Sequence, residues 1–265
     1  MMGDFANKRA LVTGAGRGIG RAIALALAEG GADVILAARS VDELQSVAAE
    51  VTALGRTAHV VPTDLGDQAA VEALAAQALE LGGIDVLVSN AAFSPPPSSL
   101  LDLDMDTWRR TFAVNTGAAL ILIKALAGDM TRRPGANIVI VSSIRGLGGT
   151  PWGGAYGSSK AALNQMIRTL ACELGPQGLR INGVLPGPVL TAMTTEFLPD
   201  NKALFDYYGD IAPIKGWTMA EDMVGPALFL AGPGARKVHG HLLVVDGGLS
   251  AINQDAFPPP DALLG

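Results

Sequence analysis

Cysteine, aromatic side chains and excess positive charge are all scarce in this chain. Its 265 residues include a single cysteine, Cys172, and aromatic residues make up 5%. One cysteine excludes an internal disulfide. Without neighbouring metal-ligand residues, Cys172 reads as a small core residue of a buried helix, and no metal site is expected. With so few aromatic rings in a composition that is 49% hydrophobic, the core must be built from Ala, Val, Leu and Ile, which suits a sheet buried on both faces. Lys and Arg number 19 against 25 Asp and Glu, a net charge of −6, so the electrostatic term needed to hold nucleic acid or an anionic membrane is missing. The opening MMGDFANKRA lacks a hydrophobic signal region, and no apolar run of membrane-spanning length is evident. A soluble, cytoplasmic protein is expected.

Apolar strand-like runs lie at 10–12, 33–38, 58–62, 84–89, 137–142, 180–185 and 241–246, separated mostly by stretches of helical periodicity. Such alternation implies right-handed βαβ crossovers. The expected fold is α/β, a doubly wound parallel sheet of about seven strands, Rossmann-like, with helices on both faces and one domain over 1–265. Ligands of such sheets bind beyond the carboxyl ends of the strands. Gly14, Arg39, Asp64, Asn90, Ser143 and Pro186 all follow strand ends. The alternation lapses over 191–213, rich in Phe, Tyr and Leu, which reads as a substrate lid or as a surface-packed helical excursion. The Pro-rich tail DAFPPPDALLG reads as extended, either frayed or reaching to another subunit.

Two constellations carry chemistry. RALVTGAGRGIG runs from an apolar strand into a glycine-rich turn and then a helix, with Gly14, Gly18 and Gly20 spaced G-x-x-x-G-x-G. Glycine lets the backbone approach a pyrophosphate, whose charge a helix N-terminus favours. Further on, Tyr156 and Lys160 fall four apart in a segment of helical spacing, so phenol and ammonium share a helix face. A cation beside the phenol is expected to lower its pKa from about 10. Ser143, at the end of the preceding strand, is placed to hydrogen-bond a substrate oxygen.

Thr13, Gly14 to Gly20, Asn90-Ala91, Asn115, Ser143, Tyr156, Lys160 and Pro186-Gly187 occur in the order and spacing of the short-chain dehydrogenase/reductase family, which the chain resembles over nearly its whole length. The resemblance implies hydride transfer between a nicotinamide cofactor and a carbonyl or secondary alcohol: a ketone, a 3-oxoacyl group, or a sugar or polyol. Tyr156 would be the acid/base. Lys160 would tune it and bind the nicotinamide ribose, Ser143 would hold the substrate oxygen, and Asn115 would distort its helix and hold a water linking Lys160 to solvent. Gly14, Arg17, Gly18, Ile19, Gly20, Asp64, Leu65, Asn90, Ala91, Pro186, Gly187, Val189 and Thr191 would bind the cofactor with Tyr156 and Lys160. Asp64 would read the adenine amino group, or cap the helix beginning near Asp67.

At the end of the second strand, where a carboxylate would hold the ribose of NAD, stands Ala38, followed by Arg39. In the family an arginine there resembles the guanidinium that holds the 2′-phosphate of NADP; stacking on adenine is its alternative. NADP is therefore the expected cofactor and NAD the lesser one. Ala92 stands where the family often has Gly, which is tolerable at negative φ. Ser143, Arg145, Trp152 and Phe197 are the substrate-side residues, with Arg145 directed at an anionic group or at solvent. The family also pairs helices around 106–128 and 156–174 across a two-fold axis, so a homotetramer is expected. Two alternatives are an NAD-dependent polyol or sugar dehydrogenase and an NADP-binding regulator without turnover.

Overall fold

The structure, a computed structural model, describes residues 5–196 and 202–252. Seven strands form one sheet: β1 (Arg9–Thr13), β2 (Asp33–Ala38), β3 (Ala58–Pro62), β4 (Val86–Ser89), β5 (Asn137–Val141), β6 (Arg180–Pro186) and β7 (Leu242–Val245). All pairs are parallel, in the order β3-β2-β1-β4-β5-β6-β7. The chain leaves β3 at one edge and re-enters beside β1, so the order reverses between β1 and β4. That reversal opens a crevice at the carboxyl ends, where this fold binds ligands.

The helices are α1 (Gly18–Glu29), α2 (Val41–Ala53), α3 (Gln68–Glu80), α4 (Met105–Phe112), α5 (Ala118–Met130), α6 (Gly154–Leu174), α7 (Ala192–Thr195), α8 (Lys202–Asp210) and α9 (Val224–Ala231). Alternate strand residues feed opposite faces. Leu11, Ile35, Leu87 and Ile138 pack with Leu74, Leu122 and Ile167 of α3, α5 and α6. Val12, Leu36, Val88 and Val139 pack with Ile23, Leu27, Leu44 and Leu228 of α1, α2 and α9. Both faces are thus covered by aliphatic side chains, as the scarcity of aromatics requires.

Local chemistry sets the helix starts. Ser40 accepts from the Glu43 amide at 3.3 Å, Asp67 from Ala69 at 2.9 Å, and Asp104 from Asp106 and Thr107 at 3.1 and 2.7 Å. Two expectations need correction. Cys172 is exposed on α6 rather than buried, so it contributes nothing to the core. Met105–Met130 is long and apolar enough to cross a membrane, with a mean hydropathy of 1.5, although no such run was expected. Here Leu122, Leu126 and Met130 of that stretch are buried against the sheet, as in the core helix of a globular fold.

Candidate active site

A cleft of about 490 Å³ opens beyond the carboxyl ends of β1, β2 and β4. Gly14 and Gly18 have φ of +65° and +55°, the left-handed region that glycine enters without strain. A Cβ on Gly14 would lie 2.8 Å from Asn90 Nδ2, so the turn is glycine for space as well as for conformation. Thr13 locks this corner: its hydroxyl accepts from the Asn90 and Ala91 amides at 3.0 and 3.1 Å, while Asn90 Nδ2 donates to the Thr13 carbonyl at 2.9 Å. No side chain caps the N-terminus of α1, leaving its first amides open to an anion. A glycine cradle with uncapped amides and arginines beyond it fits the pyrophosphate and adenosine of a dinucleotide.

Arg17, Ile19, Arg39, Asp64, Leu65, Ala91, Pro186, Gly187, Val189 and Thr191 all line this cleft, together with Gly14, Gly18, Asn90, Tyr156 and Lys160. Gly20 is absent from the wall. A Cβ there would overlap the Gly14 carbonyl, so Gly20 is required for the close packing of α1 against the turn. Asp64 accepts from the Gly66 amide at 2.9 Å and faces Arg110 at 3.6 Å; Asp67, not Asp64, caps α3. Arg17 lies 4.0 and 3.6 Å from the carboxylates of Glu43 and Glu196. Ala92 is not among the described residues with positive φ, so replacing glycine there carries no backbone strain. Ser40 and Glu43 also line the cleft, as sequence reasoning missed. Ser40 caps α2 and lines the cofactor side as well.

Ser143 follows β5, and Tyr156 and Lys160 stand one turn apart on α6. Lys160 is 1% exposed, donates to the Val141 carbonyl at 2.9 Å, and has its Nζ 5.6 Å from the centre of the Tyr156 ring. Burial lowers its pKa to about 7. For Tyr156 burial also dominates and raises the pKa, while hydrogen bonding with Ser143 and the charge of Arg145 pull it down. The expected depression by Lys160 is therefore not the controlling effect. Desolvation is, because a group removed from water resists ionisation of either sign, and the opposing pull comes from Ser143 and Arg145.

Asn115 sits in a widened π turn, Ala113–Gly117, between α4 and α5. Its side chain accepts from the Phe93 amide at 2.7 Å and donates to the Phe93 carbonyl at 3.0 Å and to Ser159 Oγ at 2.9 Å. Ser159 in turn donates to the Tyr156 carbonyl at 2.7 Å. Asn115 is on the wall of neither cleft; it reaches the Tyr156 turn through Ser159.

A second cavity, about 710 Å³, adjoins the first and shares Ser143, Tyr156, Gly187 and Val189 with it. Arg145 and Trp152 line it, as do Leu204, Tyr207 and Tyr208 of α8. Trp152 is 66% exposed and holds φ of +63°, a strained conformation for a bulky residue. Phe197 lies outside the described residues.

A family model described as enoyl-(acyl carrier protein) reductase matches residues 14–250. L-rhamnose 1-dehydrogenase (NAD(P)(+)) of Sphingomonas sp. strain SKA58 is 40% identical over 245 residues, 91% of this chain and 96% of that protein. The chain belongs to the short-chain dehydrogenase/reductase family. Among solved members, L-sorbose reductase from Gluconobacter frateurii, complexed with NADPH and L-sorbose, superimposes with a TM-score of 0.89 at 29% identity, covering 96% of this chain and all of that one. A putative gluconate 5-dehydrogenase from Beutenbergia cavernae, with bound NADP, gives 0.89 at 36% identity over 94% of this chain. This short-chain dehydrogenase/reductase is thus an oxidoreductase that moves a hydride between a nicotinamide cofactor and a carbonyl or alcohol substrate.

Proposed function

We propose that this chain is an NADP(H)-preferring reductase and dehydrogenase, with cofactor and substrate sites in one unit over 1–265. The observation that carries the reading is that Ser143 and Tyr156 line both clefts, at the junction where a nicotinamide and a carbonyl group would meet. A bound nicotinamide supplies or accepts the hydride. Tyr156 donates its phenolic proton to the oxygen of the carbonyl being reduced, or removes that proton from the alcohol in reverse. Ser143 orients the same oxygen and stabilises negative charge on it. Lys160, beneath the ring, holds the ribose side of the cleft and sets the local charge; Asn115, through Ser159, positions the Tyr156 turn.

Preference for NADP rests on Ala38 and Arg39, which line the adenosine end of the cleft, with no carboxylate within 4.0 Å of Arg39 among the described residues. That guanidinium is available for a 2′-phosphate, and the carboxylate that would repel one is missing from position 38. The acidic groups on that wall, Glu43 and Asp64, face Arg17 and Arg110. The relatives' names mention rhamnose, gluconate and sorbose, which supports substrates with a secondary alcohol or its ketone. α7 and α8 would form the lid, and a homotetramer completes the reading.

Steady-state kinetics with NADPH and NADH test it. Wild type should favour NADPH, and Arg39→Asp should weaken NADPH binding about tenfold or more and tilt preference toward NADH. Tyr156→Phe should abolish turnover yet bind NADPH nearly as well as wild type, since only the proton donor is lost. Equal efficiency with NADH in wild type would remove the cofactor assignment, and Tyr156→Phe turnover within about tenfold of wild type would demand another acid.

A further inference from the structure

The cavity beside Tyr156 contains one charged side chain among the described residues, and that is Arg145. Most arginines of the chain are already matched: Arg17, Arg21, Arg56, Arg109, Arg110, Arg132 and Arg133 each lie within 4.0 Å of a carboxylate. Arg145 has no such partner among the described residues, and its one hydrogen bond there is through the backbone, its amide donating to Ser143 Oγ at 3.1 Å. Its side chain is half-buried on the cavity wall, close enough to Tyr156 for its charge to act on the phenol. Gly153 makes room for it. A Cβ on Gly153 would lie 3.0 Å from Arg145 Nη1, although the backbone there, at φ −118°, would accept any residue.

A partly desolvated guanidinium left without a counter-ion is costly unless a ligand supplies one. The remaining wall offers hydroxyls from Ser94, Ser98, Thr150, Thr194, Tyr207, Tyr208 and Ser250 and, among the described residues, no acidic, amide or imidazole side chain. Such a wall accepts a neutral body of either polar or apolar character and provides one strong fixed point.

Resting on the dehydrogenase reading above, we propose that the substrate is an oxo acid or hydroxy acid whose carboxylate pairs with Arg145 while its carbonyl or alcohol meets Ser143 and Tyr156. Arg145 is then the specificity-determining residue. A planar guanidinium binds a carboxylate through two parallel hydrogen bonds, which fixes the distance and direction from that group to the reacting carbon. The carboxylate belongs either to a sugar acid or to an acid with an apolar body.

The test compares each acid with a neutral counterpart: keto-gluconate against sorbose, and benzoylpropionate against its methyl ester. Reduction is followed with whichever of NADPH and NADH the wild type uses. At least one acid should exceed its counterpart in kcat/KM by about tenfold or more, mainly through KM. Arg145→Gln should erase that advantage and leave neutral ketones turning over, Arg145→Lys should restore part of it, and Gly153→Ala should diminish it by displacing the guanidinium. Because any effect of Arg145 on the phenol touches acids and neutral ketones alike, the ratio between them isolates the carboxylate contact. Equal use of acids and neutral counterparts by wild type would overturn the proposal. So would an Arg145→Gln variant that lowers both by the same factor. Should no carbonyl compound be reduced at all, the dehydrogenase reading falls, and calorimetric titration of the protein with benzoylpropionate and its ester decides the rest. Acid-selective binding lost in Arg145→Gln would sustain the Arg145 site, and indifference would end it.

Discussion

At the scale of single residues, Lys160 holds the least expected balance of forces. It is among the largest fully buried side chains, and burial brings its pKa from 10.5 to about 7. Its folded pKa thus lies below its unfolded value, so the unfolded state binds the extra proton between these limits and stability rises with pH across them. Below pH 7 the cost of burying the ammonium is present in full; it fades as the pH climbs from about 7 toward 10.5. Lys160→Met should therefore raise the melting temperature more at pH 6 than at pH 9, while activity is lost at both. An equal gain at the two pH values would contradict the burial argument. Ser143, Tyr156 and Lys160 were legible in the sequence because spacing alone places them on one strand end and one helix face. Their ionisation was not, since it depends on how much water the fold removes. For the same reason Cys172 read as buried and proved exposed, and the close packing of Gly20 against the Gly14 carbonyl could not be read from spacing.

At the scale of elements, the strands were legible almost to the residue, because a parallel sheet buried on both faces demands continuous aliphatic runs. The lock that Thr13 forms with Asn90 and Ala91 was harder, because it joins elements distant in sequence. The segment after β6 carries no clear periodicity, and the fold shows α8 stacked on Trp217, with Phe205 and Tyr208 ring centres 5.0 and 6.5 Å from it. Leu204 and Tyr207 face the cavity and remain 36% and 47% exposed. Closure over nicotinamide and substrate would bury them and exclude water from the hydride path. Hydrogen exchange across 202–210 should slow with NADP and a substrate analogue together, and slow less with NADP alone. Identical exchange in the free and ternary states would make α8 static packing.

For the whole molecule, the open edge of the sheet matters most. β7 is a terminal strand, so one side of its backbone is unpaired within the described chain, and Val244 is exposed there. Away from that strand in sequence, α5 presents an exposed Leu120. An unpaired edge and an exposed aliphatic helix face at separate places are what two distinct two-fold contacts would cover. Sedimentation should report a tetramer at micromolar concentration, and Val244→Lys should reduce it to a dimer by placing charge in one contact. A compact wild-type monomer would refute this assembly.

The π turn at Ala113–Gly117 also limits how the chain can change in length. It is followed by the regular helix α5, whose Leu122, Ile123 and Leu126 face the sheet. A wide turn accommodates one residue more than an α-helical one, and each residue of a helix turns it by about 100°. Deleting one residue beside Asn115 would let the backbone close as an ordinary helix. Because the wide turn carries its extra residue within about the same rotation as an ordinary one, α5 would keep its aliphatic stripe on the sheet, but Asn115 would lose the placement that brings it to Phe93 and Ser159. A single-residue deletion beside Asn115 should therefore leave the melting temperature close to that of wild type and lower turnover, and unchanged turnover would deny Asn115 its hold on the Tyr156 turn.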